Sequence, residues 1–532
     1  MTDAAPAAVP AAAPEQPIPW FGLLAVLLGT FISTLNGRLS TFGLNDIRGA
    51  IHAGFDEGAW ITTAQTMAQM MIAPVAVWIG TIYGPRRALL ASAMAFAVIS
   101  AIIPFSTGLT MLLALQFLGG LASGFFVPLT LSFILRSVPP KYWAYGVAIY
   151  ALNLELSLNI SASMEGWYVD NLSWRWIFWQ NVPLAVGMAL CLHYGVARTP
   201  PAPDHPRADI FGLTTAGLGL ALIYAALDQG NRLDWLNSGL IWGLLISGFL
   251  ALAAFLIHEK RTPHPLFDFR VILHGPLPRV LLLIVLLRMI ILSTAFVVPQ
   301  FLGAVRGFRA LETGDTLIWI AIPQLLVCFL AGLALRRLDA RLVAIFGFLL
   351  VCWACLISAH GLTGLWGSEQ FLFSQLLQAV GQSFAITGVV FYAVQHLRRE
   401  DALTMGALGQ VTRLMGGELG SAFISTFFRL REQRASNLIG QHVQAGAGDV
   451  VRRLHIYSAA TVRLGNTMDA GTRGADVLGL IVRQAATIQA VIDSFIVLGA
   501  VCAIGLLMLS LSPAAPRGPA SPHPFSWGRT TP

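Results

Sequence analysis

Residues 313–360 read TGDTLIWIAIPQLLVCFLAGLALRRLDARLVAIFGFLLVCWACLISAH. One long apolar run ends on Arg336-Arg337, a short turn carries Arg341, and a second apolar run begins at once. About 20 apolar residues suffice for a helix to cross the hydrocarbon core of a bilayer. The stretch therefore reads as a transmembrane hairpin whose basic turn stays in the cytoplasm. The same reading extends over the chain. It predicts spans at 20–44, 58–82, 88–107, 109–135, 143–169, 175–197, 210–228, 237–258, 279–304, 313–335, 341–360, 369–396, 403–428 and 486–511. Composition agrees: of 532 residues 56% are hydrophobic and only 11% charged, against about 25% in soluble domains. A string of soluble domains lacks its surface, and disorder requires the opposite composition. An all-α polytopic membrane protein of about fourteen helices remains.

Short-loop bases set the orientation. Arg86 and Arg87, Arg136 and Lys141, Arg198 and Arg207, Lys260, Arg261 and Arg270, then Arg336, Arg337 and Arg341, and finally Arg398 and Arg399 follow the even-numbered spans. Both termini are thus expected in the cytoplasm. The long arginine-bearing loop at 429–485 falls outside, where long loops escape the charge rule. It is rich in Gly, Ala and Arg and holds two amphipathic stretches, about 448–464 and 474–490.

Pro-containing linkers at 198–209 and 259–275 isolate one pair of spans and leave six on either side. The expected organisation is a disordered tail (1–19), a six-helix bundle (20–197) and a two-helix insert with its linkers (198–275). A second six-helix bundle (276–511) includes the loop 429–485, and a cytoplasmic tail (512–532) closes the chain. The stretch from Gln116 in span four weakly echoes that from Gln375 in span twelve. Two repeated halves suit a transporter that rocks around a site near the bilayer midplane.

Other classes find little support. The net charge is +7, but the bases sit in pairs between apolar runs instead of forming a nucleic-acid patch. Cys191, Cys328, Cys352, Cys355 and Cys502 all lie in apolar runs, so they read as small buried hydrophobes, not a disulfide framework. The eleven histidines form no cluster of metal-site spacing. There is no glycine-rich phosphate loop, G-x-S-x-G elbow or paired loop carboxylates, so no metal, organic cofactor or enzymatic activity is expected.

The stretch from Thr30 to Pro183 resembles the EmrB/QacA type of drug:proton antiporter, the fourteen-span branch of the major facilitator superfamily. The resemblance is carried by Gly58-Ala-Trp60-Ile-Thr, Trp78-Ile79, Gly84-Pro-Arg86-Arg87, Pro128, Pro139-Pro140 and above all GWYVDNLSWRWIFWQNVP at 166–183. Pro299-Gln-Phe-Leu, Pro323 and Thr412-Arg413-Leu-Met-Gly-Gly417-Glu-Leu-Gly420-Ser-Ala422 continue it in the second half. It implies the major facilitator fold, a place in the inner membrane and export of amphipathic or aromatic small molecules. The energy source would be the proton gradient. It also implies a gating role for the loop of Gly84, Arg86 and Arg87. A periplasmic adaptor and an outer-membrane channel would be partners at the long outer loop. Four of the family's usual positions differ. Thr81 and Ile82 replace an Asp-Arg pair, Asn36 an Asp, Gln116 an Arg, and Ser161–Gly166 a Gly-Pro…Gly-Gly signature.

Ionisable residues inside the membrane cost about 2.5–3.5 kcal/mol each on insertion scales and mark pathways by default. Arg38 lies on a stripe with Thr34, Thr41 and Asn45, one face of span one. Glu155, Asn159 and Gly166 share a face of span five, with Glu165 roughly 80° around it. Arg288 lies in span nine, and Arg413 and Glu418 in span thirteen. The expected substrate and proton pathway comprises these groups with Asn36, Gln116 and Gln378, and Arg38 is expected to pair with Glu165 or Glu155. One carboxylate would exchange a proton while the arginine holds or releases substrate. A fixed ion pair locking the helices is the structural alternative. For the glutamines, cavity lining and interhelical hydrogen bonding both fit. Two other functions fit the same fold: export of an anionic metabolite, favoured by Arg38, Arg288 and Arg413, and a sensor descended from a transporter.

Overall fold

The computed structural model describes residues 19–196, 209–262, 277–396, 402–443, 447–463 and 470–514. The N-terminal tail to residue 18, the linkers at 198–208 and 263–275 and the tail from 515 lie outside the described residues. So do the loop bases Arg198, Arg207, Arg270, Arg398 and Arg399.

The described residues are overwhelmingly helical and contain no strand. In the first half, α1 is Trp20–Phe42, α2 Trp60–Ile82 and α3 Pro85–Ile102. The helix α4 runs as Leu109–Ser123 and Phe126–Ser137, α5 is Trp143–Asn171 and α6 Asn181–Gly195. The insert supplies α7 (Ile210–Gly230) and α8 (Gly239–Arg261). In the second half α9 runs from Leu277 to Arg306, through one π turn at Ser293–Val297. It is followed by α10 (Ala310–Arg337), α11 (Ala340–Gly361), α12 (Ser368–Gln395), α13 (Ala402–Gln441) and α14 (Ala470–Leu511). Among the described residues, 11 helices are long and apolar enough to cross a membrane. The other three expected spans are the helices α5, α6 and α13. Two of these carry buried charge, Glu155 and Glu165 on α5 and Arg413 and Glu418 on α13, and α6 has only 15 residues.

The loop expected at 429–485 is largely helical. α13 continues to Gln441, a further helix spans Gly448–Arg463, and α14 starts at Ala470. The span boundary predicted at 428 followed the end of the apolar run, but a helix can continue into water when arginines such as Arg429 and Arg431 replace the leucines. Arg431 is tied to Asp493 of α14 by an ion pair.

The halves meet along four helix pairs among the described residues. α5 packs on α10 and α12, while α4 and α2 pack on α13. The insert is not a bystander. α7 packs on both α2 and α13, and α8 packs on α7. Small residues make these approaches possible, as at membrane helix interfaces generally. A Cβ at Gly166 would lie 2.5 Å from the Leu311 nitrogen, and one at Gly406 2.3 Å from the Pro128 carbonyl. A shared apolar cluster fills the end of the bundle where α1 begins and α14 ends. Leu131, Ile134, Val147 and Tyr150 of the first half join Val280, Ile284, Val389 and Met405 of the second.

Candidate functional site

Above that apolar seal, toward the end that carries the 43–59 and 306–310 connections, two polar cavities lie between the halves. The outer one, about 690 Å³, is lined by Arg38, Thr41, Asn45, Glu165, Asp170 and Arg309 together with Phe42, Phe296 and Phe308. The deeper one, about 260 Å³, is lined by Thr34, Arg38, Arg288, Arg413, Glu418 and, from the insert, Tyr224 and Asp228. Arg38, Thr41, Leu292 and Ser421 line both, so the two are lobes of one space.

Backbone chemistry positions Arg38. Pro299 has no N–H, so the Ala295 carbonyl, four residues earlier, receives no ordinary helical bond from it. The chain widens into the π turn, where the Val298 N–H donates to the Ser293 carbonyl. Arg38 Nη2 donates to the freed Ala295 oxygen at 3.0 Å. The guanidinium also sits over the Phe42 ring, 5.1 Å from its centroid. This differs from the predicted ion pair: Arg38 bonds a carbonyl of the opposite half, and neither Glu155 nor Glu165 is its hydrogen-bond partner.

Glycines position the next two arginines. Gly416 and Gly420 let α13 approach α9, where Cβ atoms would lie 3.0 Å from Val285 and 2.9 Å from Met289. Between them the Arg288 guanidinium lies against Gly417, 3.4 Å from where a Cβ would stand. Arg413 Nε donates to Gln410 at 3.0 Å on its own helix. Arg288 Nε and Nη1 have no hydrogen-bond partner among the described residues. Glu418, five residues beyond Arg413, turns instead to Tyr224 and Asp228. Asp228 accepts hydrogen bonds from Thr63 and Gln229.

Glu165 lines the outer lobe from α5, its Oε2 without a hydrogen-bond partner among the described residues, and Asp170 and Arg309 face each other at its rim at 3.8 Å. Glu155 lines neither lobe. It is 1% exposed, neither oxygen accepts a hydrogen bond among the described residues, and the charges acting on it are Arg288 and Arg413. Of the amides expected on the pathway, Asn36, Asn159, Gln116 and Gln378 line neither lobe and sit in the helix interfaces. Asn181 donates to Asn36 at 2.6 Å and Asn159 to Gln324 at 3.2 Å. Gln378 donates to Ser293 at 3.0 Å, while Gln116 is buried with no hydrogen-bond partner among the described residues. Short amides on apolar helices satisfy one another across interfaces, which draws them off the cavity surface.

The sequence reading missed Asp228 and Tyr224. Asp228 stands two residues from the end of α7, where a charge reads as a helix terminus, and nothing local signals that α7 enters the seam between the halves.

The sequence model of the Major Facilitator Superfamily matches residues 26–421. The chain belongs to that superfamily. Among relatives of the major facilitator chain, "Probable multidrug resistance protein EmrY" of Escherichia coli K12 is 29% identical over 63% of this chain and 66% of its own. "Multidrug export protein EmrB" of the same strain is 24% identical over 77% of this chain and 80% of its own. The solved structure of the proton:xylose symporter XylE has the same fold, with a TM-score of 0.54 at 12% identity over 93% of this chain and 96% of that one. With 11 helices among the described residues long and apolar enough to cross a membrane, this superfamily member is a multi-pass membrane protein.

At the end where α1 begins, the loop after α2 turns on Gly84, at φ 79°, a region open to glycine. Pro85 then starts α3 with a suitable φ and no N–H to lose. Arg86 donates to the last carbonyls of α6, to Leu192 at 3.3 Å and His193 at 2.9 Å. Arg87 is exposed.

Proposed function

We propose that this major facilitator is a proton-coupled secondary exporter of amphipathic or aromatic small molecules, working by alternating access in a bacterial inner membrane. The observation that carries the reading is the two-lobed polar cavity between the halves, closed at one end by apolar packing. Ionisable groups from both halves line it, so a change in the charge of any one alters how the halves hold together. Glu165 and Glu418 face this space and are the groups assigned to proton exchange. Phe42, Phe296 and Phe308 offer the outer lobe an apolar face for cargo. The names of the relatives EmrY and EmrB, which describe multidrug resistance and export, support the direction.

The helices from α13 to α14 that extend past the apolar spans are the surface assigned to a periplasmic adaptor, which would lead to an outer-membrane channel. Expression in an efflux-deficient host tests the export reading. Accumulation of an amphipathic dye should fall, and a protonophore should restore it. Unchanged accumulation across a broad dye panel would overturn the reading.

A further inference from the structure

Three guanidiniums, from Arg38, Arg288 and Arg413, line the same cavity of about 260 Å³. They come from three helices, α1, α9 and α13, that belong to both halves. Like charges brought together away from bulk water repel, and each carries a desolvation cost. The protein offers them little compensation. Arg38 has one backbone carbonyl and an aromatic face, with Nε unpartnered, and Arg413 has one glutamine. Arg288 leaves Nε and Nη1 without partners. Glu155, the carboxylate on which Arg288 and Arg413 act, stands behind the wall and makes no hydrogen bond to either. The two carboxylates that line this cavity, Asp228 and Glu418, lie together with Tyr224 on the side formed by α7.

We propose that Arg38, Arg288 and Arg413 form a seat for the acidic group of an amphipathic organic acid. The carboxylate or sulfonate would take the donors the protein leaves free, because guanidinium forks match planar anions in geometry as well as charge. Its apolar body would extend into the outer lobe against Phe42, Phe296 and Phe308, which continues directly from the seat past Arg38. A small apolar recess on the far side of Arg288 and Arg413, lined by Leu131, Leu154, Ile284 and Val390, keeps water from the back of the seat. The proposal rests on the transport reading above and narrows its cargo.

The test uses the full chain in phosphatidylcholine proteoliposomes and two probes of equal shape, 2-naphthoate and 2-naphthamide. The wild-type protein should bind the acid about tenfold more tightly than the amide, since only the acid completes the charge-assisted pairs. Arg288→Gln should erase that preference, bringing the affinity for the acid to within about twofold of that for the amide. Arg288→Lys should retain part of it, and Arg413→Gln serves if Arg288→Gln does not remain monodisperse. Equal binding of acid and amide by the wild type would overturn the seat, as would a parallel loss of both in a monodisperse Arg288→Gln. Loss of naphthoate binding when phosphatidylglycerol is added would assign the arginines to a lipid headgroup and likewise overturn it. The export reading stands or falls separately, on protonophore-sensitive efflux of uncharged and cationic dyes by the wild type.

Discussion

Arg38 of α1 donates a hydrogen bond to the carbonyl of Ala295 in α9, 257 residues away, and Pro299 leaves that carbonyl available. A proline in one half thus decides where an arginine of the other half rests. The bond crosses the cavity from one half to the other, so the halves cannot part at the outer end without breaking it.

Pro299→Ala tests this relationship. The new N–H would reclaim the Ala295 carbonyl, close the π turn and leave Arg38 without its partner. Hydrogen bonds from charged groups contribute about 1.5–3 kcal/mol, so transport should change by about tenfold or more. Thermal stability should stay the same or rise, since an interior proline weakens a helix. Transport at the wild-type rate would show that the bond is incidental.

The insert makes a separate prediction. α7 is clasped to both halves at its outer end. Arg232 bonds Asp56 at 2.6 Å, the Trp235 indole donates to Thr426 at 2.9 Å, and Arg429 donates to Asn231 at 3.1 Å. Its Asp228 faces the deeper lobe. Asp228→Asn should therefore slow export by about tenfold at unchanged membrane abundance, as expected for an intramembrane charge on the pathway. Asp234→Asn, in the exposed turn just beyond α7, should stay within about twofold, since surface charges contribute little. Equal effects of the two substitutions would remove α7 from the transport path.

Close packing of α5 on α10 should be sensitive to a single methyl group. A Cβ at Gly314 would meet the backbone nitrogen of Ser163 at 2.6 Å, and one at Gly166 the Leu311 Cα at 2.6 Å. Alanine at either position should destabilise the protein by about 1–3 kcal/mol through overpacking. Gly187→Ala meets nothing within 4 Å and should be neutral or mildly stabilising. Unfolding temperatures in detergent would compare the three.

Much of this architecture is legible along the chain because a bilayer imposes a linear code. The stretch 313–360 announces α10 and α11 by length and apolarity alone, and its Arg336 and Arg337 mark the end of a helix. The stripe of Thr34, Arg38 and Thr41 places three residues on the cavity wall because helical periodicity fixes a face. Periodicity does not reveal what that face meets. Arg38 bonds a carbonyl because of a proline in another helix, and Asp228 reaches the cavity because α7 intercalates. Gln116 and Gln378 show the converse: polar residues in apolar helices need not touch the pathway. Such facts belong to tertiary packing, where single residues carry no local signal.

The central claim is that charge changes on carboxylates in this cavity couple proton flow to cargo movement. Everted membrane vesicles, acidified inside by respiration and reported by an acridine dye, test it most directly. On addition of an amphipathic substrate the wild-type protein should release protons and dequench the dye. The paired substitution Glu165→Gln with Glu418→Gln should abolish that response while the protein remains in the membrane. An undiminished response in the double variant, or none in wild-type vesicles across a panel of substrates, would contradict the account.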